Sequence, residues 1–206
     1  MKIQVLVICL LLITLPLAAT KYAGEIFALS PGVISSAMGA TGLTYEDNFS
    51  SGWWNPALLS ITPEDGFELM RCEHFEGLMS QNQLSIIIGS NTKTSFTLNH
   101  LAIDNIKLTK LENPNDSLSN ENRPIVWKTV SNQDFILSAG IARKVGKTLF
   151  LGISPKLAYR SLADNSGYAF GADLGMLWQM NKKARLGMNL RDFFSTQVLW
   201  EGGEYE

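Results

Sequence analysis

From about residue 66 to residue 192 the chain alternates between apolar and polar positions with a period of two. The clearest run has Tyr168, Phe170, Ala172, Leu174, Met176, Trp178 and Met180 on one face. Ala169, Gly171, Asp173, Gly175, Leu177 and Gln179 form the other. A period of two places each set on one side of a β-strand. The first face is apolar throughout, with aromatics near both ends; the second is small or polar except at Leu177. A strand in a soluble sandwich is usually about 5–6 residues long. A strand crossing a bilayer at a tilt needs ~9–11, with apolar residues outward, polar residues inward and aromatics at the interfaces. This run of thirteen residues fits the second description.

The preceding run behaves alike. Leu149, Leu151, Ile153, Pro155, Leu157 and Tyr159 share one face, and Thr148, Gly152, Ser154, Lys156 and Arg160 the other, with Phe150 the exception. Pro155 has no N–H to give to a ladder, so a bulge or an incompletely paired site is expected there. Further strands are predicted at 67–75, 83–88, 94–101, 135–142 and 184–192, and the start of another at 196–200. Tight turns are expected at 144–147 and 181–183. Residues 103–126 are long and polar, with room for an extra hairpin, 105–111 with 125–129, projecting beyond a membrane. The expected fold class is all-β: an antiparallel transmembrane β-barrel, partial, with about seven or eight strands of a larger barrel.

Residues 20–64 lack this period. Ser30-Pro31-Gly32, Met38-Gly39-Ala40-Thr41-Gly42 and Ser50-Ser51-Gly52 are small-residue clusters suited to tight turns and close backbone approach. Asn55 before Pro56 predicts a cap with a short helix over 56–60, because proline suits a first helical position. Trp53-Trp54 are expected to wedge this segment against a wall rather than stack a ligand. Residues 1–19 have the order of a secretory signal peptide: Lys2, a nearly continuous apolar stretch, then Pro16-Leu17-Ala18-Ala19. The domain division is therefore 1–19 signal peptide, 20–64 hatch or plug, and 65–206 barrel strands.

Composition narrows the function classes. Only 17% of residues are charged, against ~25% in typical soluble domains. A net charge of -2 gives no basic footprint for nucleic acid. Beyond the leader, Cys72 is the only cysteine. Cys72 and His74 share a strand face, but two ligands are too few for a metal site, so neither metal nor other cofactor is expected. His74 and His100 have no nucleophile at a recognisable spacing, and Asp134 and Asp173 form no evident carboxylate pair. Met38-Gly39-Ala40-Thr41-Gly42 lacks the Gly-Lys-Ser/Thr of a phosphate loop. No enzyme activity is expected.

Ala23-Gly24-Glu25, Ala37-Met38-Gly39-Ala40, Asp47 and Trp54-Asn55-Pro56-Ala57 occur in the order and spacing of a known N-terminus. It resembles that of PorV/PorQ-type outer-membrane proteins, relatives of the FadL-like transporters. The similarity continues through Phe135 to Lys144, Leu151 to Leu157 and Ala172 to Gly175. It implies a hatch that enters the barrel lumen, carried by Ala37, Met38, Gly39, Trp54, Asn55, Pro56 and Ala57. It also implies a role in type IX-like protein secretion or in uptake of hydrophobic compounds. The implied partners are outer-membrane lipid and secretion components or a hydrophobic ligand. Leu58 departs from the family, where glycine commonly follows. The strand count matches only the N-terminal half of such a barrel, which suggests a truncated or split reading frame.

Polar residues on inward faces are the lumen candidates: Lys156, Arg160, Asp173, Gln179, Arg185, Asn189 and Arg191. They are expected to solvate the lumen and pair with the hatch, with Lys156 and Asp173 as cross-strand partners. The alternative is a soluble secreted β-sandwich acting as a binding module. What covers the apolar face of the 168–180 run separates the two: a second sheet favours the sandwich, a bare belt the membrane.

Overall fold

A computed structural model describes residue 27 and residues 31–90, 92–193 and 198–201. The proposed leader, residues 1–19, lies outside these. So do Ala23, Gly24 and Glu25.

The described strands form one antiparallel sheet, curled into a half-barrel. The strands are β1 Gly66–His74, β2 Met79–Ile88, β3 Thr94–Leu111 and β4 Pro124–Val145. They continue with β5 Leu149–Leu162, β6 Asn165–Gln179, β7 Arg185–Leu190 and β8 Val198–Trp200. Neighbours in sequence are neighbours in space from β1 to β7. β7 pairs with β6 at 174–179, and β8 pairs with it at 167–169. The two therefore act as one interrupted strand.

The expected strands are present, and β3 and β4 run far beyond their expected ends. Their ladder crosses an irregularity between Ile103 and Ile106 and resumes to Leu111↔Pro124. Asn105 takes a left-handed φ of 59° there, a conformation Asn tolerates well. The expected outer hairpin is thus a continuation of β3 and β4. Phe75 drops out of β1 because it turns left-handed, φ 53°. At Pro155 the β4–β5 ladder is interrupted between Ser138↔Lys156 and Ile141↔Ile153 without a change of register. That is the incompletely paired site expected of a residue without an N–H.

The register aligns the alternation across the sheet. Leu69, Leu84, Leu98, Leu137, Leu157 and Phe170 are successive cross-strand partners from β1 to β6. Ile141, Ile153, Leu174 and Leu190 form another such row. These rows face outward and are half or more exposed in several places: Leu69 68%, Leu157 55%, Leu190 51%. The opposite face carries Gln81, Gln83, Ser85, Thr97, Asn99, Ser138, Ser154, Lys156 and Asp173, all buried. The sheet buries its polar face and exposes its apolar one.

Residues 31–64 are what buries that face. They form α1 (Val33–Ala37), α2 (Ser51–Trp54) and a 3-10 turn over Pro56–Ser60. The Asn55 side chain accepts the Ala57 N–H, as the expected cap requires. The 3-10 turn contacts β4, β5 and β6, and α2 contacts β3 and β4. The segment lies in the trough of the half-barrel as a plug.

Candidate functional site

The site is the cradle on the inner face of β5 and β6 that receives the plug. Four consecutive inner pairs build it. Gly152 and Gly175 stand directly opposite each other. A Cβ on Gly152 would lie 2.4 Å from the Pro56 carbonyl carbon, and one on Gly175 would lie 2.2 Å from Asn55 Oδ1. The glycine pair is therefore a notch that only a bare backbone leaves open. One pair further along, Phe150 opposes Leu177. These two form an apolar cluster with Ala57 and Leu58, against which Ile61 packs. In the other direction Ser154 opposes Asp173, and Lys156 opposes Gly171.

Asn55 is fully buried and its side chain makes three hydrogen bonds. Its amide donates to the Leu43 carbonyl at 2.8 Å and the Met176 carbonyl at 3.0 Å, while its oxygen caps Ala57. One residue thus closes the turn, ties two parts of the plug and joins them to β6. Burying an amide is tolerable only when it is satisfied in this way.

Lys156 and Asp173 form the deepest charge pair. Lys156 Nζ donates to Asp173 Oδ2 at 2.6 Å, with both side chains at most 1% exposed. The pair is diagonal rather than directly opposed, since Lys156 faces Gly171 across the ladder. The ammonium also sits 4.3 Å from the Trp53 ring centroid and 5.4 Å from that of Phe27. Asp173 Oδ1 accepts the Asp192 backbone N–H at 3.0 Å. Desolvated charges persist only with such partners, and here an aromatic plug residue is one of them. Trp53 lies with Phe27, Leu101, Ile136, Ala158, Ala169 and Val198 in a second apolar cluster.

The other lumen candidates fall on or beside this face. Arg160 pairs with Asp134 at 3.2 Å. Arg185 on β7 reaches Glu46 of the plug at 2.5 Å. Asn189 donates to the Trp54 carbonyl at 2.8 Å. Arg191, in the turn after β7, lies 5.0 Å from the Trp54 ring centroid. Gln179 pairs in register with Arg185 at the strand end. Of the hatch residues, Trp54 to Ala57 enter the cradle, and the Trp54 indole N–H bonds the Pro31 carbonyl at 2.9 Å. Ala37, Met38 and Gly39 end α1 away from the cradle and are exposed.

A second anchor was not anticipated. The Gly32 N–H donates to Gln83 at 2.6 Å, and the Val33 N–H donates to Glu68 at 2.8 Å. The plug is thereby tied to β1 and β2 as well as to β5, β6 and β7. Burial alone would raise the Glu46 carboxyl. Its Arg185 hydrogen bond, its own backbone N–H and the Arg185 charge together carry it below its ordinary value of 4.5.

His74 contacts Gln81 at 3.3 Å, and Cys72 is a half-buried free thiol on the same face. His100 lies outward, stacked on Phe135 at 4.3 Å. Among the described residues no group of three or more His, Cys, Asp and Glu is placed to hold a metal ion. The chemistry available in the cradle is anchoring: capped backbone, paired charges and apolar packing. No protein-family model, no curated protein and no solved structure matches the chain.

Proposed function

We propose that this protein is part of an outer-membrane β-barrel whose lumen is filled by its own N-terminal plug. Its role would be in passage of hydrophobic compounds or in type IX-like protein secretion. The observation that carries the reading is the inverted burial of the sheet. The polar face is covered by the plug, while apolar rows running from β1 to β7 have no protein over them among the described residues. A sandwich would need a second sheet over Leu69, Leu157 and Leu174, and all described strands belong to one sheet.

Dimensions and interfacial residues support the same reading. Tyr168 and Trp178 stand at the two ends of the β6 belt, and Tyr159 packs on Tyr168 at 5.1 Å. The ten steps between them span ~33 Å along the strand at about 3.3 Å each. At a tilt of about 40° this is ~25 Å of height, the size of an outer-membrane apolar band. Beyond it, the β3–β4 extension carries Asp104, Lys107, Lys110 and Lys128, as suits a water-exposed hairpin. Both roles, transport and secretion, come from the resemblance of the plug segment to PorV/PorQ-type proteins.

Fractionation of cells making the chain tests the membrane assignment. The processed protein is expected with the outer membrane, to need detergent for extraction, and to keep its β circular dichroism once extracted. Recovery as a soluble periplasmic protein would sink the reading.

A further inference from the structure

We propose that the outer wall holds one anionic glycerophospholipid at a fixed place, its phosphate on Arg143 and an acyl chain along a groove over β4, β5 and β6. The inference rests on the membrane-barrel reading above.

The alternation of the strands builds the groove. Ile141, Ile153 and Leu174 are successive cross-strand partners on the outward face. Arg143 and Leu151 are partners in the next outward row, towards the tight turns. Between the two rows Ala142 opposes Gly152. A Cβ on Gly152 would meet Pro56 of the plug, on the inner side. Backbone alone therefore floors the space between the rows. The groove has a volume of about 520 Å³, within the ~300–1,000 Å³ of small-molecule sites. Apart from Thr92, Arg143 is its one polar lining residue. It lies inside the sheet, with β3 on one side and β7 on the other, so neither sheet edge enters into it.

Charge says what the groove takes. The β4–β5 turn brings Arg143, Lys144 and Lys147, the β6–β7 turn brings Lys182 and Lys183, and residues 143–148 and 180–184 hold no Asp or Glu. Both turns stand at the same end of the sheet. Two strand spacings, ~10 Å, separate them, which is about one Debye length at 0.1 M salt. Lys144 turns over the Phe150 ring at 5.6 Å. Arg143, Lys147, Lys182 and Lys183 form no ion pair among the described residues. Towards the other end Lys128 and Arg160 are neutralised by Asp164 and Asp134, and the tight turns there carry Glu76 and Asp164.

The site thus has a cationic rim with an apolar channel leading from it towards Leu174. A guanidinium without a carboxylate matches a phosphate group, which its planar fork binds through two hydrogen bonds. A free phosphate would leave the channel empty, and a hydrocarbon alone would leave Arg143 unpaired. A zwitterionic lipid would bring a second cation against the basic rim. An anionic glycerophospholipid fits both parts, in the order in which a bilayer presents them.

The test offers the full chain, in neutral detergent, phosphatidylglycerol and phosphatidylcholine of equal chain length. Native mass spectrometry counts the lipids retained. One phosphatidylglycerol per chain, held in preference to phosphatidylcholine, is the expected result. Arg143→Gln should lower its retention about fivefold, the effect of one basic side chain at an anionic surface. Ile153→Trp, which fills the groove, should lower it as well, while Lys128→Gln at the opposite end should not. Equal retention of the two lipids, or parental retention by Arg143→Gln, overturns the proposal. Sensitivity to Arg143→Gln and to added inorganic phosphate, but not to Ile153→Trp, overturns the lipid in favour of a bare anion site. Several lipids held with no preferred number overturn it in favour of a general belt. Recovery of the chain as a soluble periplasmic protein overturns the barrel reading itself, whereas loss of lipid preference in membrane-extracted protein overturns only the lipid site.

Discussion

At the scale of single residues, the cradle depends on two places where a side chain is missing or of the unexpected kind. Gly152 and Gly175 are opposite each other and let Asn55-Pro56-Ala57 touch the wall. Replacing Gly152 with alanine puts a methyl 2.4 Å from the Pro56 carbonyl carbon. That atom is backbone and cannot swing aside. The 3-10 turn must lift from the sheet, losing the Asn55 bond to Met176. Overpacking of this kind destabilises by ~1–3 kcal/mol. Gly152→Ala is expected to make residues 31–64 more sensitive to added protease while leaving the strands resistant. Unchanged protection of the plug would refute the notch. Phe150 and Leu177 are the complementary case, apolar residues on a polar face, and they hold Leu58.

At the scale of elements, the plug is short helices on a long ladder. α1 and α2 have five and four residues, and isolated helices of that length do not hold themselves together in water. Their order must come from the walls. Glu68 and Gln83 hold one side, and Arg185, Asn189 and the cradle hold the other. The Glu46–Arg185 bond gives this anchoring a pH dependence. Glu46 titrates lower in the folded protein than when free. The folded state therefore binds its proton less readily, and the bond stabilises docking fully above the ordinary carboxylate value of 4.5. That contribution fades as pH falls through the lowered value. Plug protection against proteolysis is expected to weaken as pH falls through that lowered value, and Glu46→Gln should remove that part of the pH dependence. A variant with the same acid profile as the parent would count against the contact.

At the scale of the whole molecule, one sheet separates two environments. Leu174 lies near the middle of the run from Tyr168 to Trp178 and faces outward. If that side meets lipid, Leu174→Arg costs ~2–4 kcal/mol, the penalty for a charge near the bilayer midplane. If it meets water, a surface change of this sort stays within about 0.5 kcal/mol. Urea titration of the protein folded into vesicles measures the difference, and a near-neutral result would remove the membrane from the account.

The period of two determined that the chain would be strands, which residues share a face and that Pro155 would interrupt its ladder, because alternation is a local property of an extended backbone. The cap at Asn55 was equally local, since it needs only the residue and the proline after it. The sequence also contained the clue to the cradle, in the two breaks of the alternation at Phe150 and Leu177. Taken singly they look like blemishes; register makes them one apolar seat. Only the tertiary structure decided that seat, the opposed glycines, the diagonal reach of Lys156 to Asp173, and the anchors from Gln83, Glu68 and Glu46. Each joins residues far apart in the chain, and a one-residue change of register would have sent the strand side chains among them to the other side of the sheet. The extent of β3 and β4 was hidden for a related reason. Beyond Ile103 their side chains are largely exposed on both faces, so hydrogen bonding carries the strands on where no alternation marks them.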